Sequence, residues 1–211
     1  MSAIRLLVAD DHEMVRVGLR VMLSDTDIRV VAEASTGEDA VRQALEKDVD
    51  VALLDVRMPK GDGLHALVRI KLGKPELPVL LISAYDNPTY VARSVALGAS
   101  GFVMKDSSRK QMIRVIREAA AGRSAWDAEE LRRVSGALAI EQACKGLEVP
   151  LTQRESEVLR QLAYGLTNKE IAQALHISYE TVKEHVQHVL HKIGVSDRTQ
   201  AAVWVVRNNL V

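Results

Sequence analysis

The segment VALLDVRMPKG, residues 51–61, decides how the N-terminal half is read. An apolar run ends on a carboxylate, Asp55, and passes at once into a turn marked by Pro59 and Gly61. A short run without polar alternation fits a strand covered on both faces, which is the habit of a parallel sheet. Outward from it, similar runs recur at 5–9, 30–34, 79–83 and 101–104, with amphipathic helical patterns near 13–24, 37–46, 63–72, 88–97 and 109–121.

Parallel neighbours need crossover connections, so this alternation predicts an α/β fold with helices on both faces of the sheet. The expected architecture is flavodoxin-like, a doubly wound five-stranded parallel sheet with its site at the carboxyl ends of the strands. It is expected to span 1–122. Residues 123–148 read as a helical linker, with Leu131, Val134 and Leu138 at helical spacing. Residues 149–211 hold no strand pattern and read as a small all-α domain with helices near 153–164, 168–175, 179–193 and 198–208. Thr152-Gln-Arg-Glu155 and Thr167-Asn-Lys-Glu170 are capping boxes, while Gly165 and Gly194 sit where helices end in a left-handed turn.

Composition bounds the function classes. The chain of 211 residues is 47% hydrophobic and 27% charged, an ordinary globular balance that excludes a largely disordered protein. No apolar run approaches the ~20 residues of a membrane span, and no signal-peptide core follows a basic start, so a cytoplasmic protein without membrane contact is expected. A single cysteine, Cys144, excludes an internal disulfide and fits a reducing compartment. Net charge is zero, and the last 63 residues hold 7 basic against 6 acidic groups plus four of the six histidines, a weakly basic balance.

Asp10 and Asp11 follow the first strand and Asp55 ends the third, so a parallel sheet brings three carboxylates to one edge. A hard cation such as Mg2+, which takes carboxylate, water and phosphate oxygens, explains their gathering. Ser83 ends the fourth strand and Lys105 comes just after the fifth, adding a hydroxyl donor and a cation. The set fits phosphoryl transfer: Asp55 attacks phosphorus, the metal and Lys105 neutralise the equatorial oxygens, and Ser83 donates to one of them. A dinucleotide site would need a Gly-rich turn where Asp10-Asp11-His12-Glu13 stands. Two rivals use the same features. A Mg-dependent phosphatase would need a second aspartate two residues beyond Asp55, where Arg57 stands. A partner-binding module would dock protein rather than DNA on its C-terminal helices.

On a helix over 179–193, Val182, Val186, Val189 and Ile193 share one side, and Glu180, Lys183, Glu184, Gln187, His188 and His191 the other. A short capped helix and the connector Leu175-His-Ile-Ser178 precede it, the helix-turn-helix arrangement that lays its second helix in the major groove. His188 and His191 on that face predict weak non-specific DNA binding that strengthens as pH falls through ~6.5, where free histidines titrate. In the first helix, Val15, Gly18, Leu19 and Met22 supply a sheet-facing stripe, while Val17 and Val21 form an outer pair expected to join a phosphorylation-dependent dimer surface.

Residues 1–122 resemble the receiver domain of two-component response regulators, through Asp10, Asp11, Asp55, Met58-Pro59, Gly61, Ser83-Ala84, Phe102 and Lys105. Residues 150–211 resemble the LuxR-type helix-turn-helix of the NarL/FixJ regulators, through Leu151-Thr-Gln-Arg-Glu155, Gly165-Leu-Thr-Asn-Lys-Glu-Ile-Ala172, Thr181-Val-Lys183, His185-Val186 and Lys192-Ile-Gly194. The resemblance implies a transcriptional regulator switched by phosphorylation. Asp55 is then the phosphoacceptor for a sensor histidine kinase; Asp10, Asp11, Asp55 and the backbone carbonyl of Arg57 hold Mg2+; Ser83 and Phe102 form the switch pair. Arg57 and Tyr85 flank the site where they tune phosphoryl lifetime. No enzymatic turnover is expected beyond autophosphorylation and autodephosphorylation at Asp55. By position, Lys183, Glu184 and Gln187 face base edges, and Asn168, Lys169, Thr181 and Lys192 lie near phosphates of promoter DNA, with His188 beside them. A homodimer is expected, because one reading helix touches few base pairs. Glu184 and Gln187 depart from the small or apolar residue and the lysine common at those places, which predicts a different operator.

Overall fold

The computed structural model describes residues 3–127 and 151–208. The expected linker helix with Leu131, Val134 and Leu138, and Cys144, lie outside the described residues. Five strands, β1 (Ile4–Ala9), β2 (Ile28–Ala34), β3 (Val51–Asp55), β4 (Val79–Ser83) and β5 (Gly101–Met104), form one parallel sheet in the order β2-β1-β3-β4-β5. Between and after them run α1 (Glu13–Leu23), α2 (Gly37–Glu46), α3 (Gly63–Gly73), α4 (Pro88–Ala96) and α5 (Arg109–Ala120). Every residue of β3 and β4 is buried, as the unalternating apolar runs require. Leu6, Val8, Leu53, Leu80, Ile82 and Val103 pack there against Leu19, Leu23, Val115 and Ile116 from the helices.

Register positions the site. Ala9 pairs with Leu54, Asp55 with Ile82, and Ser83 with Met104, so the carboxyl ends of β1, β3, β4 and β5 are level. Backbone bonds anchor the residues just beyond two of these strand ends: the Asp10 N–H donates to the Ala34 carbonyl, and the Lys105 N–H donates to the Ser83 carbonyl at 2.8 Å. The turn after Asp55 needs Lys60 and Gly61 at φ of 51° and 93°, a region costly for side chains other than glycine. At Gly63, a Cβ would stand 2.1 Å from the Asp55 carbonyl oxygen, so only glycine lets α3 begin directly behind the strand end.

In α1 the expected inward stripe holds for Leu19, with Val15 and Met22 partly buried against the core. Gly18 does not belong to it. It is exposed, with nothing within 4 Å of where a Cβ would project, and Leu23 takes the buried place one turn later.

The chain divides by contacts into two compact units, one of Met1–Asp86 with Leu97–Asp127, the other of Asn87–Ala96 with the residues from Ala128 onward. In the C-terminal part of the second unit, α6 (Gln153–Ala163), α7 (Asn168–Leu175), α8 (Tyr179–Lys192) and α9 (Arg198–Arg207) succeed one another. Both capping boxes are formed, at Thr152 with Glu155 and at Thr167 with Glu170, and Gly165 and Gly194 adopt φ of 81° and 70°. Val158, Leu162, Ile171, Val182, Val189, Ala201 and Val205 close the core of these helices. Among the described residues no helix is long and apolar enough to cross a membrane.

Candidate phosphoacceptor pocket and DNA-reading helix

Asp10, Asp11, Asp55 and Lys105 meet at the carboxyl edge of the sheet. Asp10 and Asp55 are buried, while Asp11 is exposed. Nζ of Lys105 lies 2.7 Å from Oδ2 of Asp10 and 2.8 Å from Oδ2 of Asp55, so one ammonium bridges two carboxylates that would otherwise repel. Burial pushes the Asp55 carboxyl above its ordinary pKa, and the Lys105 hydrogen bond pulls against that rise. Burial also works against charge on Lys105, yet its bonds to Asp10 and Asp55 leave its pKa raised. The buried Asp55 carboxyl is therefore held beside a strongly retained positive charge.

The backbone N–H of His12 donates to Oδ1 of Asp10 at 2.9 Å, and the Arg57 N–H points to Oδ1 of Asp55 at 3.4 Å. Arg16 reaches back from α1 to donate to the Asp10 carbonyl at 2.7 Å. Ligand atoms of Asp10, Asp11, His12 and Asp55 all lie within 4.8 Å of one another, a set compatible with a divalent cation. His12 was not among the residues the sequence singled out; its place directly after the aspartate pair was the available signal.

Ser83 is buried at the end of β4. Its Oγ donates to the Tyr85 carbonyl at 3.1 Å and accepts from the Tyr85 N–H at 3.0 Å, so it is held by its own loop. Phe102 is buried in β5, where it pairs with Leu81. The Arg57 guanidinium stands over the Tyr85 ring, 5.1 Å from its centroid, so the two flanking residues meet.

In the second unit, α7, a short turn and α8 make the helix-turn-helix. His176 caps α7 in the left-handed region at φ 52°, a strained corner that no glycine marks in the sequence. Val182 and Val189 are buried, whereas Lys169, Lys183, Glu184, Gln187, His188 and His191 are exposed. Asn168 and Thr181 are half-buried, and the Thr181 N–H donates to the Ser178 hydroxyl at 3.1 Å to start α8. Lys192, expected near phosphates, is half-buried. Its ammonium lies 2.7 Å from Oε2 of the buried Glu155, which also accepts the Thr152 N–H.

A parallel α/β unit with a lysine-bridged acidic pocket, followed by a helix-turn-helix unit, defines a receiver joined to a DNA-binding output. Residues 6–117 match the response regulator receiver domain, and residues 149–205 match the luxR family of bacterial regulatory proteins. The chain is 37% identical to the transcriptional regulatory protein YxjL of Bacillus subtilis, over 99% of this chain and 97% of that protein. It is 36% identical to the response regulator protein VraR of Staphylococcus aureus, over 99% of both. The crystal structure of the response regulator ChrA, from a heme-sensing two-component system, aligns over all of both chains at 31% identity with a TM-score of 0.54. The protein belongs to the two-component response regulators that couple a receiver domain to a LuxR-type DNA-binding domain.

Proposed function

We propose that Asp55 accepts a phosphoryl group from a sensor histidine kinase and that the modified receiver sets the affinity of the C-terminal helices for promoter DNA. The observation that carries this reading is the Lys105 ammonium lying within 2.8 Å of both buried carboxylates. A carboxylate oxygen of Asp55 bonds to phosphorus as the phosphorus–nitrogen bond of the donor breaks, and the leaving imidazole takes a proton from solvent. Lys105 then neutralises charge on the transferred oxygens. Asp10, Asp11, Asp55 and the Arg57 carbonyl would hold Mg2+, which supplies further neutralisation of the phosphate oxygens. The chemistry ends there, with formation and hydrolysis of the Asp55 acyl phosphate and no other turnover.

Ser83 and Phe102 are the switch in this reading. A phosphoryl oxygen competes with the Tyr85 carbonyl for the Ser83 hydroxyl, and the space that Ser83 leaves admits the Phe102 ring. The phosphoryl group must bind one arrangement better than the other, or no population shifts. Lys183, Glu184, Gln187 and His188 read the groove, Asn168, Lys169, Thr181 and Lys192 approach phosphates, and the protein works as a homodimer in the cytoplasm, with Val17 and Val21 on the dimer surface.

Incubation with acetyl phosphate and MgCl2 tests the root of this reading. Intact-mass spectrometry is expected to show one phosphoryl adduct, mapped to Asp55 and absent from Asp55→Asn. An unmodified wild-type protein would overturn it.

A further inference from the structure

We propose that His12 is a fifth protein ligand of the cation in the acidic pocket, beside Asp10, Asp11, Asp55 and the Arg57 carbonyl, and that it biases the site toward a first-row transition dication, Mn2+, over Mg2+. The inference rests on the pocket being the metal site of the reading above. His12 occupies the N-cap of α1 in an extended conformation, yet its side chain makes no capping bond to the helix. The imidazole instead turns to the carboxylates, with Nδ1 at 2.8 Å from Oδ1 of Asp11 and 3.4 Å from Oδ1 of Asp10. A cation with ~2.1 Å bonds in octahedral geometry keeps adjacent ligands ~3.0 Å apart and opposite ones ~4.2 Å apart. One atom from each of Asp10, Asp11, His12 and Asp55 falls within 4.8 Å of the others, close to that span, so a small side-chain rotation brings a single ion within reach of all four.

Donor chemistry gives the preference. Mg2+ favours an all-oxygen shell and releases its waters reluctantly. First-row transition ions bind imidazole well, and Mn2+ also accepts an octahedral, carboxylate-rich set. Three carboxylates and a backbone carbonyl joined by one imidazole nitrogen suit Mn2+ better than they suit Mg2+. The side chain of His12 is 69% exposed, so replacing it leaves the core intact.

The full-length protein, its His12→Ala variant and its Asp11→Asn variant are titrated with MnCl2 and with MgCl2 by calorimetry, and the Mn2+ complexes are examined by electron spin echo envelope modulation. Nitrogen modulation in the wild type that His12→Ala removes is expected, with Mn2+ affinity falling at least about ten-fold and Mg2+ affinity changing less than about two-fold. Identical modulation and identical Mn2+ affinity in wild type and His12→Ala would overturn the assignment. Labelling of Asp55 by acetyl phosphate with Mg2+, run on the same preparations, separates the two levels. Labelling that persists alongside unchanged Mn2+ binding sinks the His12 assignment alone, whereas a wild type that binds neither cation and takes no phosphoryl group sinks the pocket reading with it.

Discussion

Nζ of Lys192, at the end of α8, lies 2.7 Å from Oε2 of Glu155, in the first turn of α6. The same oxygen accepts the Thr152 N–H at 2.7 Å, so one buried carboxylate closes a capping box and ties the DNA-reading helix to α6. Lys192 is 30% exposed, which keeps the pair short of full burial. Lys192→Met is expected to destabilise the C-terminal helices by about 2 kcal/mol, the range for a hydrogen bond to a charged group. Urea denaturation monitored by circular dichroism checks it, and a midpoint equal to wild type would refute the tie.

The same carboxylate gives a pH dependence with a definite sign. Lys192 and then the Thr152 amide hold Glu155 down to about 2, from an ordinary 4.5. A depressed folded-state value stabilises above the unfolded pKa, and that contribution is lost as pH falls from 4.5 toward about 2. The stability gap between wild type and Glu155→Gln is therefore expected to be widest near neutrality and to narrow across that window. A gap that widens on acidification would contradict the assignment.

Lys105 joins Asp10 to Asp55 across 2.7 and 2.8 Å, so its removal leaves two buried like charges without their bridge. Lys105→Met is expected to destabilise the protein in EDTA by about 3 kcal/mol, as for a broken buried pair, and so to lower its unfolding midpoint. Millimolar MgCl2 restores part of the loss, because a cation bound only by the folded state stabilises it. Phosphorylation by acetyl phosphate slows about 100-fold, the scale of removing one charge-stabilising donor. Thermal melts with and without magnesium, paired with labelling rates, check all three effects.

Gly63 shows how far the sequence could be read and where it stopped. The apolar run to Asp55 predicts a buried strand, and the register then brings Asp10, Asp55, Ser83 and Lys105 to one edge, because a parallel sheet leaves side chains at its strand ends little freedom. Helix ends are legible from Thr152, Thr167, Gly165 and Gly194, since capping chemistry is local. Interactions between distant segments are not. Nothing in the spacing of Glu155 and Lys192 marks their pairing, and Gly18 has a place in a helical stripe that the packed helix turns outward. His176 takes a left-handed conformation that a reader assigns to glycine or asparagine.

The close approach at Gly63 has its own consequence. A methyl group there would meet the Asp55 carbonyl oxygen at 2.1 Å and the Asp55 carbonyl carbon at 2.9 Å. Backbone atoms cannot move aside as a flexible side chain can, so Gly63→Ala is expected to cost about 3 kcal/mol and to displace the phosphoacceptor. The discriminating readout is phosphorylation below the unfolding temperature. A folded Gly63→Ala protein labelled at the wild-type rate would show that the strand end tolerates the shift.

In the proposed DNA interface, Glu184 and Lys169 would make two different kinds of contact. Both are exposed, but Lys169 lies in the first turn of α7 and Glu184 in the middle of the reading helix. A phosphate contact adds affinity without sequence preference and releases counterions, whereas a carboxylate near phosphates repels unless a cytosine amino group meets it. Lys169→Ala is expected to weaken binding about equally on every fragment and to reduce the slope of log affinity against log salt by about 1. Glu184→Ala raises affinity for random DNA while lowering discrimination at one base pair of the selected site, by about 1–3 kcal/mol. Fluorescence anisotropy over a salt series, on a selected and a scrambled duplex, separates the two. If Glu184→Ala instead weakened binding to both duplexes equally, the carboxylate would be supporting the fold of α8 rather than reading a base.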